Sequence, residues 1–229
     1  MSLTLPIPGP SGAIANDLFA AGAVKFGAFP LKAHRANSSL PLSPYYFDCR
    51  AIGHPSKPGP VSAAIVMRIA MAWSRFSMLD FERIDCVAAV PHGATPYATH
   101  LALLLEGAVP VIRLAKREND DGTTTVHDVE GDVSAFRGKR ALLVEDVVTT
   151  AASSLEAITV LRRYEIRTYH ALAVVDRQQG GAQRLLEQNV RLRPLFTFRQ
   201  LVDHYHAAGQ IDRMKYEECL AYHAESSSL

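Results

Sequence analysis

Charge of either sign is nearly absent as an excess. The 229-residue chain balances to a formal net charge of +1. That balance gives no reason to expect a nucleic-acid or membrane partner, so any anion site has to be local. Cysteine is scarce too. Cys49, Cys86 and Cys219 are far apart, with no CxxC pair and no zinc spacing, which reads as reduced thiols of a cytosolic protein. No apolar run spans a bilayer: the longest, Val61 to Trp73, is too short and carries Arg68. The first twelve residues are rich in proline and glycine and lack a basic n-region, so neither a signal nor a transit peptide is expected and the chain reads as cytoplasmic. Two nucleotide motifs are also missing. There is no GxxxxGK[ST] and no GxGxxG after a strand, which argues against an ATPase or a dinucleotide enzyme.

What is present is ordinary for a soluble globular chain, with 48% hydrophobic and 21% charged residues. The length suits one large domain, or one domain with a small subdomain. Ala13 to Ala21 has helical spacing, and Val24 to Leu31 and Tyr45 to Arg50 read as strands. Gly53 to Pro60 is dense in breakers and reads as a linker. Beyond it, Pro60 sits where a helix favours its first residue, and a helix is expected from Val61 to Phe76. Apolar runs Ile84–Val90, Val109–Leu114, Arg140–Val144 and Tyr169–Val175 then alternate with helical patterns at Pro96–Glu106, Ser153–Arg163 and Ala182–Gln188. Continuous apolar strands between helices indicate a buried parallel sheet. The expected class is therefore α/β, a doubly wound and mainly parallel sheet, with ligands at the carboxyl ends of the strands. Lys116 to Gly131, with two glycines, several acids and three consecutive threonines, reads as a long mobile functional loop. A last helix is expected from Gln210 to Tyr222, followed by a disordered serine tail.

The most chemically loaded segment is Leu142 to Ser154. An apolar strand runs into Glu145-Asp146, then Val147-Val148, then Thr149-Thr150-Ala151-Ala152-Ser153-Ser154 and a helical pattern. Two acids at a sheet's carboxyl edge can accept hydrogen bonds from sugar hydroxyls or hold a magnesium ion. A helix start after them, with free N–H groups and hydroxyl donors, suits a phosphate. From the chemistry alone an N-cap cluster beside two solvated acids is an equal reading.

This segment resembles the phosphoribosyl-pyrophosphate (PRPP) signature of type I phosphoribosyltransferases. Three further segments resemble the orotate branch of that family. Phe26 to Arg35 followed by Ser43-Pro44-Tyr45-Tyr46-Phe47-Asp48 is similar to "F-x-LKSGR…SPYYF". Val174 to Gly181 is similar to "VVDREEGG". Leu195-Phe196-Thr197 before a helix resembles the closing segment. The resemblance is collinear from about Asp17 to Ala207. It implies a hood or base-binding segment at 13–57, a PRPP-binding α/β core at 58–207, and a C-terminal helix and tail at 208–229.

The resemblance also implies roles. Glu145 and Asp146 would hold the ribose hydroxyls and, with PRPP itself, Mg²⁺. Thr149, Thr150, Ala151, Ala152 and Ser153 would cradle the 5′-phosphate. Orotate would lie among Lys32, Tyr45, Tyr46, Thr149 and Arg177, with Arg177 on its carboxylate. Lys116 and Arg117, at the start of the family's mobile loop, and Lys32 would act on the leaving pyrophosphate. The implied reaction joins orotate to PRPP, releasing pyrophosphate and giving orotidine 5′-phosphate in pyrimidine synthesis, with Mg²⁺ and no covalent intermediate. A homodimer is implied, in which loop 116–131 reaches the neighbouring site.

Three places depart from the family pattern, beside one insertion. Asn119-Asp120-Asp121-Gly122 replaces the loop's usual lysine and histidine, leaving His127 as a distant substitute. Ala151-Ala152 stands where glycine is usual, as does Ala94 in Val90-Pro91-His92-Gly93-Ala94-Thr95-Pro96. An insertion, Ala36 to Leu42, separates Lys32 from the tyrosine pair. These departures motivate two alternatives: a catalytically weak relative that binds PRPP or a nucleotide in a regulatory or partner role, or a transferase for another base.

Overall fold

The computed structural model describes residues 6–30, 39, 41–80, 84–120 and 123–226. Six strands form the central sheet: β3 (Cys86–Ala89), β4 (Val111–Glu118), β5 (Thr124–Val129), β6 (Arg140–Val148), β7 (Arg167–Asp176) and β8 (Arg191–Thr197). Their order is β5-β4-β3-β6-β7-β8, parallel throughout except for β5. Cys86 to Ala89 and Ala141 to Glu145 are buried without a break, as strands covered on both faces must be. From β3 the chain moves outward one way to β4 and β5, then returns to the far side of β3 and moves the other way through β6, β7 and β8. The order reverses between β3 and β6. With right-handed crossovers, such a reversal opens a crevice at the carboxyl ends of those two strands.

Helices α2 (Ala63–Asp80), α3 (Thr95–Leu104), α4 (Ala152–Arg163) and α5 (Gly181–Glu187) connect and flank these strands. A second, two-stranded antiparallel sheet pairs β1 (Val24–Phe29) with β2 (Ser43–Phe47), setting Phe26 opposite Tyr45. Helices α1 (Gly9–Ala20), α6 (Phe198–Ala207) and α7 (Arg213–Ser226) belong with it. Phe19, Phe26 and Tyr205 pack as one aromatic group, and the Tyr205 hydroxyl donates to the Ala15 carbonyl at 3.0 Å. One hydrophobic cluster runs from Ile14 through the central sheet to Cys219. Among the described residues no helix is long and apolar enough to cross a membrane.

The α/β class and the mainly parallel sheet agree with the sequence reading. Several local expectations need correction. The long loop expected at Lys116–Gly131 is a hairpin instead: β4 extends to Glu118 and pairs antiparallel with β5. Threonine and valine favour the pleated conformation, and Val126 is buried, so a segment that reads as polar still has an apolar side to pack. The breaker-rich segment 53–60 is not a slack linker. A parallel bridge joins Ala51 to Val61, and Gly59 N–H donates to the Ala51 carbonyl, closing it as a tight excursion. Helix α2 starts at Ala63 rather than Val61, with the Ser62 hydroxyl accepting from Ile65 N–H at 3.4 Å; a hydroxyl that accepts at a helix start defines the end better than proline. The final helix runs to Ser226, past the expected end at Tyr222.

Candidate active site

Strand β6 extends through Glu145 and Asp146, so the acid pair lies within the sheet's carboxyl end, not in the loop after it. Glu145 is only 8% exposed, and one oxygen accepts from the Ser154 hydroxyl at 3.1 Å. Burial, then the neighbouring Asp146 carboxylate, pushes its pKa well above the usual carboxylate range. One hydrogen bond to an ionised group contributes about 1.5–3 kcal/mol. Desolvating a carboxylate costs several kcal/mol, so burial wins. Lys116, on β4, lies within electrostatic reach and opposes the shift. Arg117 is exposed on the same strand and is not brought to the acids within the chain.

Asp146 is half-buried, and the loop after β3 packs its backbone onto the Asp146 carboxylate. A Cβ at Gly93 would stand 2.2 Å from Asp146 Oδ2, so glycine is what lets loop and acid meet. Around Asp146 gather Tyr46, Arg50 and His54. Arg50 is itself held by a two-pronged pair with Asp48, at 2.7 and 2.8 Å. His54 accepts from Ser56 and Lys57 N–H groups at Nδ1, and its ring meets His92 edge-on at 6.0 Å. The sequence reading missed Arg50, His54 and His92. His54 was hidden in a run that reads as linker, and only the Ala51–Val61 bridge returns it to the site.

The phosphate-loop candidate, Thr149 to Ser153, enters α4. Ala151 is the N-cap residue, left-handed at φ 60°, and no side chain caps the helix. The N-cap reading of the hydroxyl cluster therefore does not describe it: Thr149, Thr150 and Ser153 leave the first N–H groups without a side-chain partner. The Thr149 carbonyl accepts from Gly181 N–H at 3.0 Å, and the Thr150 carbonyl from Arg184 at 2.8 Å. In a planar trans peptide the following N–H points opposite to its carbonyl, so both N–H groups turn away from those donors. Nitrogen donors at the positive end of a helix suit an anion. Of the three alanines in glycine places, Ala94, Ala151 and Ala152, only Ala151 carries a positive φ, a conformation that costs a non-glycine residue about 1 kcal/mol.

On the base side, Arg177 is 6% exposed, and its Nε and Nη2 are buried without a hydrogen-bond partner. Its guanidinium carbon lies 5.1 Å from the centre of the Tyr45 ring. Tyr45 has no exposed surface. It packs on Phe47, Phe198 and Tyr222, so its ring lies behind Arg177 and offers no open face to a ligand. Apolar neighbours on three sides make it core, where the sequence reading had placed it against orotate. Tyr46 alternates to the other side of β2, half-buried, and shares electrostatic contact with Asp146 and Arg177. Lys32 lies outside the described residues.

Among the described residues no group of three or more His, Cys, Asp or Glu is placed to hold a metal. The two carboxylates still fit a hard divalent cation, provided that most of its oxygens come from a substrate and water.

The chain and its fold have known counterparts. Residues 59–187 match the phosphoribosyl transferase domain family. The orotate phosphoribosyltransferase of Cenarchaeum symbiosum (strain A) is 34% identical over 196 residues, covering 85% of this chain and 88% of the relative. That of Pyrococcus abyssi (strain GE5 / Orsay) is 29% identical over 188 residues, covering 82% and 91%. The crystal structure of orotate phosphoribosyltransferase from Aeropyrum pernix is 28% identical, with a TM-score of 0.59 over 83% of this chain and 97% of that one. The chain belongs to the orotate phosphoribosyltransferase family.

Proposed function

We propose that the protein joins N1 of orotate to the ribose of PRPP, releasing pyrophosphate and giving orotidine 5′-phosphate, as a cytoplasmic homodimer working with Mg²⁺. The observation that carries this reading is Arg177. A buried guanidinium with two unpaired nitrogens costs several kcal/mol. The Tyr45 ring and hydroxyl offset part of that, the ring contact about 2 kcal/mol. A planar carboxylate supplies what is missing, and the carboxylate of orotate has the matching fork geometry.

The other roles follow from position. The N–H groups of Thr150 and Ala151, at the start of α4, bind the 5′-phosphate, with hydroxyls from Thr149, Thr150 and Ser153 beside them. Glu145 and Asp146 accept from the ribose hydroxyls. The acid pair lies where positive charge develops on the ribose as the bond to pyrophosphate breaks. Lys116 meets the negative charge growing on the leaving group. Lys32 completes the base side on the strength of the family pattern. Asp146 and Glu145 would help to hold a Mg²⁺ ion brought by PRPP, which would supply charge neutralisation. Tyr46 borders the base, while Tyr45 supports Arg177 from behind.

The test is an assay of orotate consumption with PRPP and Mg²⁺. Turnover is expected, and Arg177→Ala raises the orotate KM by about 10- to 100-fold while PRPP binding stays within twofold. Equal loss of both contradicts the assigned role. Absence of turnover alongside calorimetric PRPP binding replaces the reading with that of a catalytically weak, PRPP-binding relative.

A further inference from the structure

Helix α7 lies beyond both the matched domain and the segments that resemble the family, yet it closes on the base side of the site. Nδ1 of His223 stands 3.3 Å from the Tyr45 hydroxyl. The His223 ring stacks on Phe198 at 4.1 Å, and Phe198 packs on Tyr45 at 4.6 Å. Tyr222 meets the Tyr45 ring edge-on at 5.9 Å. The end of the helix is tied to the turn after Arg177: Gln179 Nε2 donates to the Ser226 hydroxyl at 3.3 Å, and that hydroxyl donates to the His223 carbonyl at 3.2 Å.

We propose that His223 is a positioning residue for the base. Through its hydrogen bond to Tyr45 it fixes the ring against which the Arg177 guanidinium lies. The inference rests on the assignment of Arg177 to the orotate carboxylate.

Arg177 needs such a device because it has no ion pair or hydrogen bond at Nε and Nη2 to orient it. Its contact with Tyr45, over the ring and at the hydroxyl, is what aims the fork, and such a contact holds direction only if the tyrosine is held. Packing fixes the ring's plane. The hydroxyl contact with His223 fixes its position along that plane. Burial, with the charge of Arg177, keeps the His223 pKa below its ordinary value. As the neutral imidazole in its Nε2–H form, His223 accepts a hydrogen bond from the Tyr45 hydroxyl at Nδ1. A shift of about 1 Å in an orienting group is enough to cost most of its effect on binding and reaction geometry.

The experiment compares four full-length chains in steady-state kinetics: wild type, His223→Phe, Tyr45→Phe and the double variant. His223→Phe keeps an aromatic ring on Phe198 and removes the acceptor. Tyr45→Phe removes the same hydrogen bond from the other end, and with it the hydroxyl's contact to Arg177. His223→Phe is expected to raise the orotate KM about fivefold and Tyr45→Phe at least as much, with the PRPP KM within twofold. The double variant should do no worse than Tyr45→Phe, because that change already deletes the bond to His223. His223→Asn, with its amide oxygen near the place of Nδ1, should recover part of the loss. An unchanged orotate KM in both single variants overturns the inference. So does a parallel rise in both KM values, or additivity in the double variant. A wild-type chain that turns over no orotate overturns the functional reading and this inference with it; turnover with unaffected variants overturns the inference alone.

Discussion

Glu145 costs the fold stability in return for a place at the crevice. The unfolded chain ionises it in the usual carboxylate range, whereas burial and Asp146 raise its pKa in the folded chain. Between those two values the folded state holds the extra proton, so stability falls as pH rises through the window. Above the folded value the whole penalty is present. Glu145→Gln, which keeps the shape and removes the charge, should therefore raise the melting temperature at neutral pH, by on the order of a few °C. That gain should shrink towards zero below about pH 4. Activity should fall at least about tenfold in the same variant. Thermal melts across pH, paired with the orotate assay, check both halves; a gain that is constant with pH would show that charge is not its source. Glycines act at the same scale. Gly181 brings α5 against the phosphate loop, where a Cβ would lie 2.4 Å from the Thr149 carbonyl oxygen. That closeness lets Gly181 N–H bind the carbonyl and set the loop's direction.

At the scale of elements, the β4–β5 hairpin decides where Lys116 sits. Three contacts with α4 and the residue after it hold the hairpin down. The Glu156 carboxylate accepts from Val126 N–H at 2.9 Å, the Tyr164 hydroxyl donates to Asp128 at 2.5 Å, and Arg163 donates to the His127 carbonyl. Because α4 also begins at the proposed phosphate loop, one helix ties that loop and the hairpin carrying Lys116 together. Glu156→Ala should free the Val126 amide and loosen β5. Hydrogen exchange across 124–129 is expected to speed up at least about fivefold, the equivalent of one lost hydrogen bond. The amides of β7 should be unaffected. Equal acceleration in both strands would mean general destabilisation, not release of the hairpin.

At the scale of the whole molecule, the two-stranded sheet and helices α1, α6 and α7 share one hydrophobic cluster with the six-stranded sheet. Within the first group, His204 of α6 accepts from Ile7 N–H at Nδ1, and its Nε2 lies 2.9 Å from Asn16 Oδ1 of α1. A polar tie also crosses the boundary itself. The Tyr97 hydroxyl of α3 donates to the Cys49 carbonyl at 2.6 Å. Segments sharing a core and buried hydrogen bonds unfold together, so calorimetry should give one transition with van't Hoff and calorimetric enthalpies that agree. Two resolved transitions would mean that the base side and the core are separately stable.

The class of fold was legible because its signals are local. Continuous apolar strands such as Leu142–Val144, alternating with helical spacing, suffice for a buried parallel sheet. So was the acid-pair segment Leu142–Ser154, whose acids, hydroxyls and helix start are neighbours in the chain. What depended on tertiary structure was which side chains share a space. Tyr45 and Tyr46 are adjacent in sequence, but strand alternation sends one into the core and the other to the site. His54, 92 residues before Asp146 in the chain, reaches it only because a bridge folds its turn back, and His223 reaches Tyr45 only because α7 packs there. A pattern of residue types carries periodicity and local bonding. Long-range juxtaposition is decided by how the buried faces fit together, and that is where the site acquired its remaining members.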